Sequence, residues 1–196
     1  MSIVERTCNN TKYRTHQFMD VQSKFTQRFD LSYITSSLYA NNVFDRDISD
    51  LVSSIVNDYS NICSFLNIKT ASITIIDINN VSQLLYKIQF NSIILSILLS
   101  SSNVSFIKEP DVLIQCVPKQ LQDGLDLFIQ KNTDYGDAFA IFSVIGVIMR
   151  LGDKVSRLNT IVTNNHSSFE SVHDTIIDLY NYSVMAVMLI NESKET

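Results

Sequence analysis

Apolar residues recur every three or four positions along most of the chain, and polar breaks divide these runs into helices. Residues 1–15 are polar and read as a loose arm. Over residues 16–39, Phe18, Val21, Phe25, Phe29 and Tyr33 mark the buried face of an amphipathic helix, which Asn41-Asn42 ends. A second helix takes Asp45 or Asp47 as its cap and runs to Leu66, burying Ile48, Leu51, Ile55, Tyr59 and Ile62. Residues 71–78 carry a β-branched run with Ile73, Ile75 and Ile76. One strand without a partner would leave its backbone groups unpaired, so this stretch reads as an extended connector before a third helix over residues 81–101.

Ser100-Ser101-Ser102-Asn103 and Lys108-Glu109-Pro110-Asp111 read as a linker. A boundary near residue 108 separates a helical region of unassigned role, 1–108, from a second helical domain, 109–196, which holds all four glycines (Gly124, Gly136, Gly146 and Gly152). Beyond it, Leu121, Leu125, Phe128 and Ile129 form a helix face, and residues 132–136 break or bend that helix. Residues 138–163 form one long helix or two, with Leu151, Val155, Leu158 and Val162 as a core stripe. Residues 164–168 form a loop with Ser167 or Ser168 as N-cap, and the last helix covers 169–191. The fold class is all-α, a helical bundle with additional N-terminal helices.

Composition narrows the partners. At 196 residues with 45% hydrophobic positions, the chain can fill a real core. A net charge of −5 argues against neutralising a long phosphate backbone, so polymeric nucleic acid is not an expected partner, whereas a small anion needs only a few local cations. Cys8, Cys63 and Cys116 are scattered and lack nearby histidines, which suggests reduced thiols in a cytoplasmic protein and no zinc site. The most apolar stretch, 84–99, is interrupted by Lys87, Gln89, Asn91, Ser92 and Ser96, and falls short of the ~20 apolar residues of a membrane span. It is expected to be a buried helix, and no membrane partner is expected. His173 is expected to be an exposed side chain beside Asp174 in sequence.

The chemistry gathers between Lys131 and Tyr182. Glu170, Asp174, Asp178 and Tyr182 are four apart and form one column on the last helix. Three carboxylates in a column repel one another, so a cation such as Mg²⁺ or facing Lys and Arg must compensate. The preceding helix carries Arg150, Lys154 and Arg157 along one edge, with Asp153 at its border. Acids and bases on facing helices suit a metal-bound polyphosphate, and equally suit solvated salt bridges of small net value.

Lys131-Asn132-Thr133-Asp134-Tyr135-Gly136, Lys154-x-x-Arg157-Leu158 and Asp174-Thr175-x-x-Asp178-Leu179-x-x-Tyr182, in this order, resemble the signature of the nucleotide modification associated domain 1 family, over about residues 111–191. That family is related to the all-α nucleoside triphosphate pyrophosphohydrolases of the MazG and dimeric dUTPase type. The resemblance implies a helical fold, Mg²⁺ as cofactor, hydrolysis of a nucleoside triphosphate to monophosphate and pyrophosphate, and at least a dimer. Carried over by position, Asp174 and Asp178 match the paired acids of the last helix and would be catalytic and hold metal; Asp153, on the border of the basic edge, is expected to join them in catalysis, and Glu170, which extends the column, in holding metal. Lys131, Asp134, Tyr135, Lys154, Arg157 and Tyr182 would bind substrate. Enzymes of this type carry a Glu-Glu-x-x-Glu block on an early helix, whereas here Asp123, Asp126 and Gln130 occupy comparable ground. A nucleotide-binding or structural all-α oligomer without turnover is therefore the alternative.

Overall fold

The computed structural model describes residues 3–28, 48–66, 75–100, 110–164 and 169–195. Six α-helices account for nearly all of them: α1 (Ile3–Arg28), α2 (Ile48–Ser64), α3 (Ile75–Ser100), α4 (Pro110–Tyr135), α5 (Ser143–Asn164) and α6 (Phe169–Glu195). A 3-10 turn, Gly136–Ala140, links α4 to α5, and no strand occurs among the described residues. The protein is all-α.

The bundle is built around α3 and α6, which pack along one another most extensively. Helix α5 lies against α6, α2 bridges α3 and α5, and α1 and α4 pair on the other flank. The reason lies in the apolar patterns. Helix α3 is apolar nearly all round and buries Leu85, Ile88, Ile94, Leu95 and Ile97 completely or almost so. Helix α6 does the same near its end, with Val184, Ala186, Val187 and Met188. Helix α5 buries the stripe Leu151, Val155 and Leu158, while Val162 is only half-buried. One core results, fed by helices from both sides of residue 108. The expected boundary itself lies outside the described residues.

By length and composition residues 77–100 could cross a membrane, but two-thirds of the apolar window is buried within the bundle. Gln89, Asn91, Ser92 and Ser96 are buried with it, while Lys87 is exposed. Ser96 donates to Gln120 Oε1 of α4 (2.5 Å), tying α3 to its neighbour.

Several boundaries differ from the sequence reading. The polar arm expected over residues 1–15 is helical from Ile3. Its polar side chains are used between elements: Arg14 is buried, with ion-pair partners on the 3-10 turn and on α6. Phe18, Val21 and Phe25 are buried as expected; Phe29 and Tyr33 lie outside the described residues. Ile48 is exposed at the start of α2, and the caps proposed at Asp45, Asp47, Ser167 and Ser168 fall outside the described residues. Residues 75–78 are the first turn of α3 instead of an extended connector; a helix satisfies its own backbone and needs no partner strand. Helix α4 starts at Pro110, whose fixed φ and missing N–H suit a first helical position, and it continues through residues 132–135. It ends at Gly136, where φ is +59°, a conformation that favours glycine.

Gly124 shows how closely α4 approaches α6. A Cβ there would fall 2.8 Å from Tyr180 Cδ1 and Cε1. Tyr180 has little freedom to retreat, because it is buried and its hydroxyl accepts a hydrogen bond from Gln22 Nε2 of α1 (3.0 Å). The same amide donates to the Leu121 carbonyl (2.9 Å), and burial pushes the Tyr180 phenol pKa well above its ordinary value. Gly124→Ala is therefore predicted to destabilise the fold by about 1–3 kcal/mol despite alanine's better helix propensity. An unchanged urea midpoint would show that α4 and α6 can separate without cost.

Candidate functional site

The centre of the site is one carboxylate. Asp178, on the buried side of α6, is met by Lys131 Nζ at Oδ1 (2.7 Å) and by Lys154 Nζ at Oδ2 (2.8 Å). The lysines come from α4 and α5, so three helices converge on this group. Only 13% of the Asp178 side chain is exposed, and a carboxylate so covered needs charged or hydrogen-bonding partners.

Beside it lies a cavity of about 400 Å³. Phe128, Phe139, Tyr135 and Tyr182 supply aromatic surface; Lys131, Arg150 and Asp178 supply charge; Asn132 and Asn181 supply amides. Phe128 stands at the boundary between site and core. It stacks on Phe18 of α1 (centroids 4.3 Å apart) and meets Phe139 edge-on (6.1 Å). Tyr135 is the most open wall, 73% exposed.

The 3-10 turn that forms part of the rim is held from α1. Arg14 Nε donates to Asp137 Oδ1 (2.8 Å), Nη2 to Asp137 Oδ2 (3.2 Å) and Nη1 to Glu192 Oε1 of α6 (2.5 Å). Its guanidinium also sits 5.4 Å from the centroid of the Phe139 ring. Burial works to lower the Arg14 pKa, but the hydrogen bonds and charges of Asp137 and Glu192 outweigh it, and Arg14 is held charged. Burial likewise raises the Asp137 pKa, yet the bonds from Arg14 and Asn10 and the Arg14 charge prevail, leaving it below the usual value.

The sequence-derived candidates divide into three groups. Lys131 and Lys154 each meet Asp178 directly, and Tyr135, Tyr182 and Arg150 line the cavity together with Lys131 and Asp178; Lys154 is not one of the lining residues. Asp134, Asp174 and Arg157 are exposed and are not among the cavity's lining residues. Asp153 faces solvent, 4.0 Å from Arg150. The Glu170 side chain lies outside the described residues, while its backbone belongs to α6. His173 is half-buried instead of exposed. Asp123 and Asp126 engage Lys119 and Gln122 within α4, away from the cavity.

Sequence reasoning missed Asn132, Asn181, Arg14 and Asp137. Asn132 and Asn181 sit in helical runs whose apolar neighbours define the core face, and that register was a usable signal. Arg14 belongs to a polar segment with no apolar period to flag it.

Residues 131–190 match the model of the nucleotide modification associated domain 1 family. The match begins at Lys131, one of the two lysines that meet Asp178, and covers α5 and most of α6. It is narrower than the 111–191 of the sequence reading and leaves Asp123 and Asp126 outside. No curated protein and no solved structure matches the chain.

A resident Mg²⁺ does not fit the donor set described. Both oxygens of Asp178 are taken by lysine ammonium groups, and among the described residues no three of His, Cys, Asp and Glu converge as metal ligands.

The Arg14–Asp137 pair makes a pH prediction. A carboxylate whose folded pKa is depressed contributes stability that is complete above its unfolded pKa of about 3.9 and disappears as pH falls through the folded value. Asp137→Asn should melt lower than the parent at pH 6, with the gap closing below about pH 4. A gap independent of pH from 2 to 6 would show that the charge on Asp137 is not what holds the turn.

Proposed function

We propose that the cavity between α4, the 3-10 turn, α5 and α6 binds a nucleotide. The observation that carries this reading is the convergence, in one cavity of about 400 Å³, of aromatic faces, buried amides and an excess of cations. That volume lies within the range of small-molecule sites, roughly 300–1,000 Å³. Lys131, Lys154 and Arg150 stand around the single buried carboxylate of Asp178, while Asp137 on the rim is engaged by Arg14, in a chain whose net charge is −5. Such a local reversal of sign suits phosphate oxygens. Aromatic rings suit a base. The match to a nucleotide modification associated family supports the same ligand class.

Hydrolysis with Mg²⁺ is the finer reading suggested by the motifs. Asp174 lies one helical turn from Asp178 on α6 and is exposed, which leaves it accessible to a cation brought in with the nucleotide. The lysines on Asp178 favour binding without turnover as the simpler account. Pyrophosphate release with Mg²⁺ across a panel of nucleoside triphosphates would establish the enzyme; stabilisation by nucleotide with no release would establish the binder.

Lys131→Ala and Arg150→Ala are each predicted to weaken triphosphate binding about tenfold by calorimetry, the scale of one charge-assisted hydrogen bond. Arg150 is exposed, so its replacement should hardly move the melting temperature, whereas Lys131→Ala also strips one partner from the buried Asp178 and should melt lower. Unchanged affinity in both variants would remove phosphate from this end of the cavity.

The same reading includes self-association. Ile141, Phe142 and Met149 are each more than 60% exposed and follow the turn that bounds the cavity, with Tyr135 exposed beside it in sequence. A second copy of the chain covering these side chains would remove them from water. Light scattering is expected to give a dimer mass, reduced to monomer by Met149→Lys; a monomer mass for the parent at high concentration would exclude it.

A further inference from the structure

Asn132 and Asn181 line the cavity, yet they are only 4% and 5% exposed. Neither Asn181 Nδ2, Asn181 Oδ1 nor Asn132 Oδ1 has a hydrogen-bond partner. Buried amide groups left in this way cost stability, and an aliphatic side chain of similar size would avoid that cost. Asn181 Oδ1 packs close to α4, since a Cβ on Gly124 would come within 3.1 Å of it. The lining of one cavity thus includes, from two helices, residues carrying one unpartnered amide donor group and two unpartnered acceptor oxygens, with aromatic surface beside them and Lys131 next to Asn132 in sequence.

We propose that this pair of asparagines selects nucleobases that carry an exocyclic amino group. The proposal rests on the nucleotide-binding reading above and specifies the base. The two acceptor oxygens require two hydrogens from the ligand, and the Asn181 amide nitrogen requires an acceptor beside them. Cytosine and adenine meet this with both hydrogens of the amino group and the adjacent ring nitrogen. Guanine meets it with its ring N–H, its amino group and its carbonyl oxygen. Uracil, thymine and hypoxanthine offer one N–H on that edge, so one buried oxygen would stay unpaired in the complex. A site built to hydrogen-bond a ligand group discriminates against analogues that lack it, because its own polar atoms are then stranded.

Calorimetric titration of the full chain with CTP against UTP, and with GTP against ITP, isolates the amino group, because each pair has the same sugar and phosphates. CTP and GTP are expected to bind about tenfold more tightly than UTP and ITP. Asn181→Leu should abolish the preference without lowering the melting temperature of the free protein, since it removes unpaired polar atoms. Should that variant fail to fold against Gly124, Asn132→Leu carries the same expectation. Equal affinities within both pairs overturn the proposal while leaving nucleotide binding intact. A preference that survives in the folded variants, with a lowered melting temperature, marks the amides as structural and overturns it as well. Absence of binding by all four nucleotides overturns both readings.

Discussion

Everything near the site depends on the need to keep Asp178 paired. A carboxylate placed on the buried side of a helix cannot rely on water, and here its two oxygens are each assigned to one lysine. Because the lysines belong to different helices, satisfying one charge fixes the separation of three. The ends of α4 and α5 are held against α6 at the place where the cavity opens. The cluster also sets the sign of the local field, since two cations meet one anion and Arg150 adds another.

A second set of contacts holds the opposite wall. The 3-10 turn is short and has no buried residue of its own, so its position must be imposed by neighbours. Arg14 does this from α1, with its guanidinium shared between the turn and α6 and lying over Phe139. Through Phe18 and Phe128 the same helix backs the aromatic side of the cavity. The N-terminal helix is thus part of the site's support even though it provides none of the cavity's lining residues.

The sequence carried the helical class and most helix faces, because Phe18, Leu51, Ile55, Leu151, Val155 and Leu158 follow a period that only burial explains. It also brought Lys131, Lys154 and Asp178 into one hypothesis through charge spacing and motif order. What it did not carry were interactions decided between helices. The column of Asp174 and Asp178 is real in spacing, yet one residue is exposed and the other buried, and spacing along one helix says nothing about that difference. Arg14 carried no apolar period to flag it because its partners, Asp137 and Glu192, are charged groups more than a hundred residues away. The β-branched start of α3 suggested extension through local propensity, which packing overrode.

The order of contacts along the chain has a consequence for synthesis. Helix α1 is made first, but its partners are α4, the turn and α6; α3, the most apolar helix, finds its main partner in α6, the last. Until that helix has left the ribosome, α3 lacks the partner along which it packs most extensively. Between the synthesis of α3 and that of α6 a nascent chain would therefore carry an apolar helix covered by α2 but lacking its main partner, which ties completion of the core to the C-terminal segment.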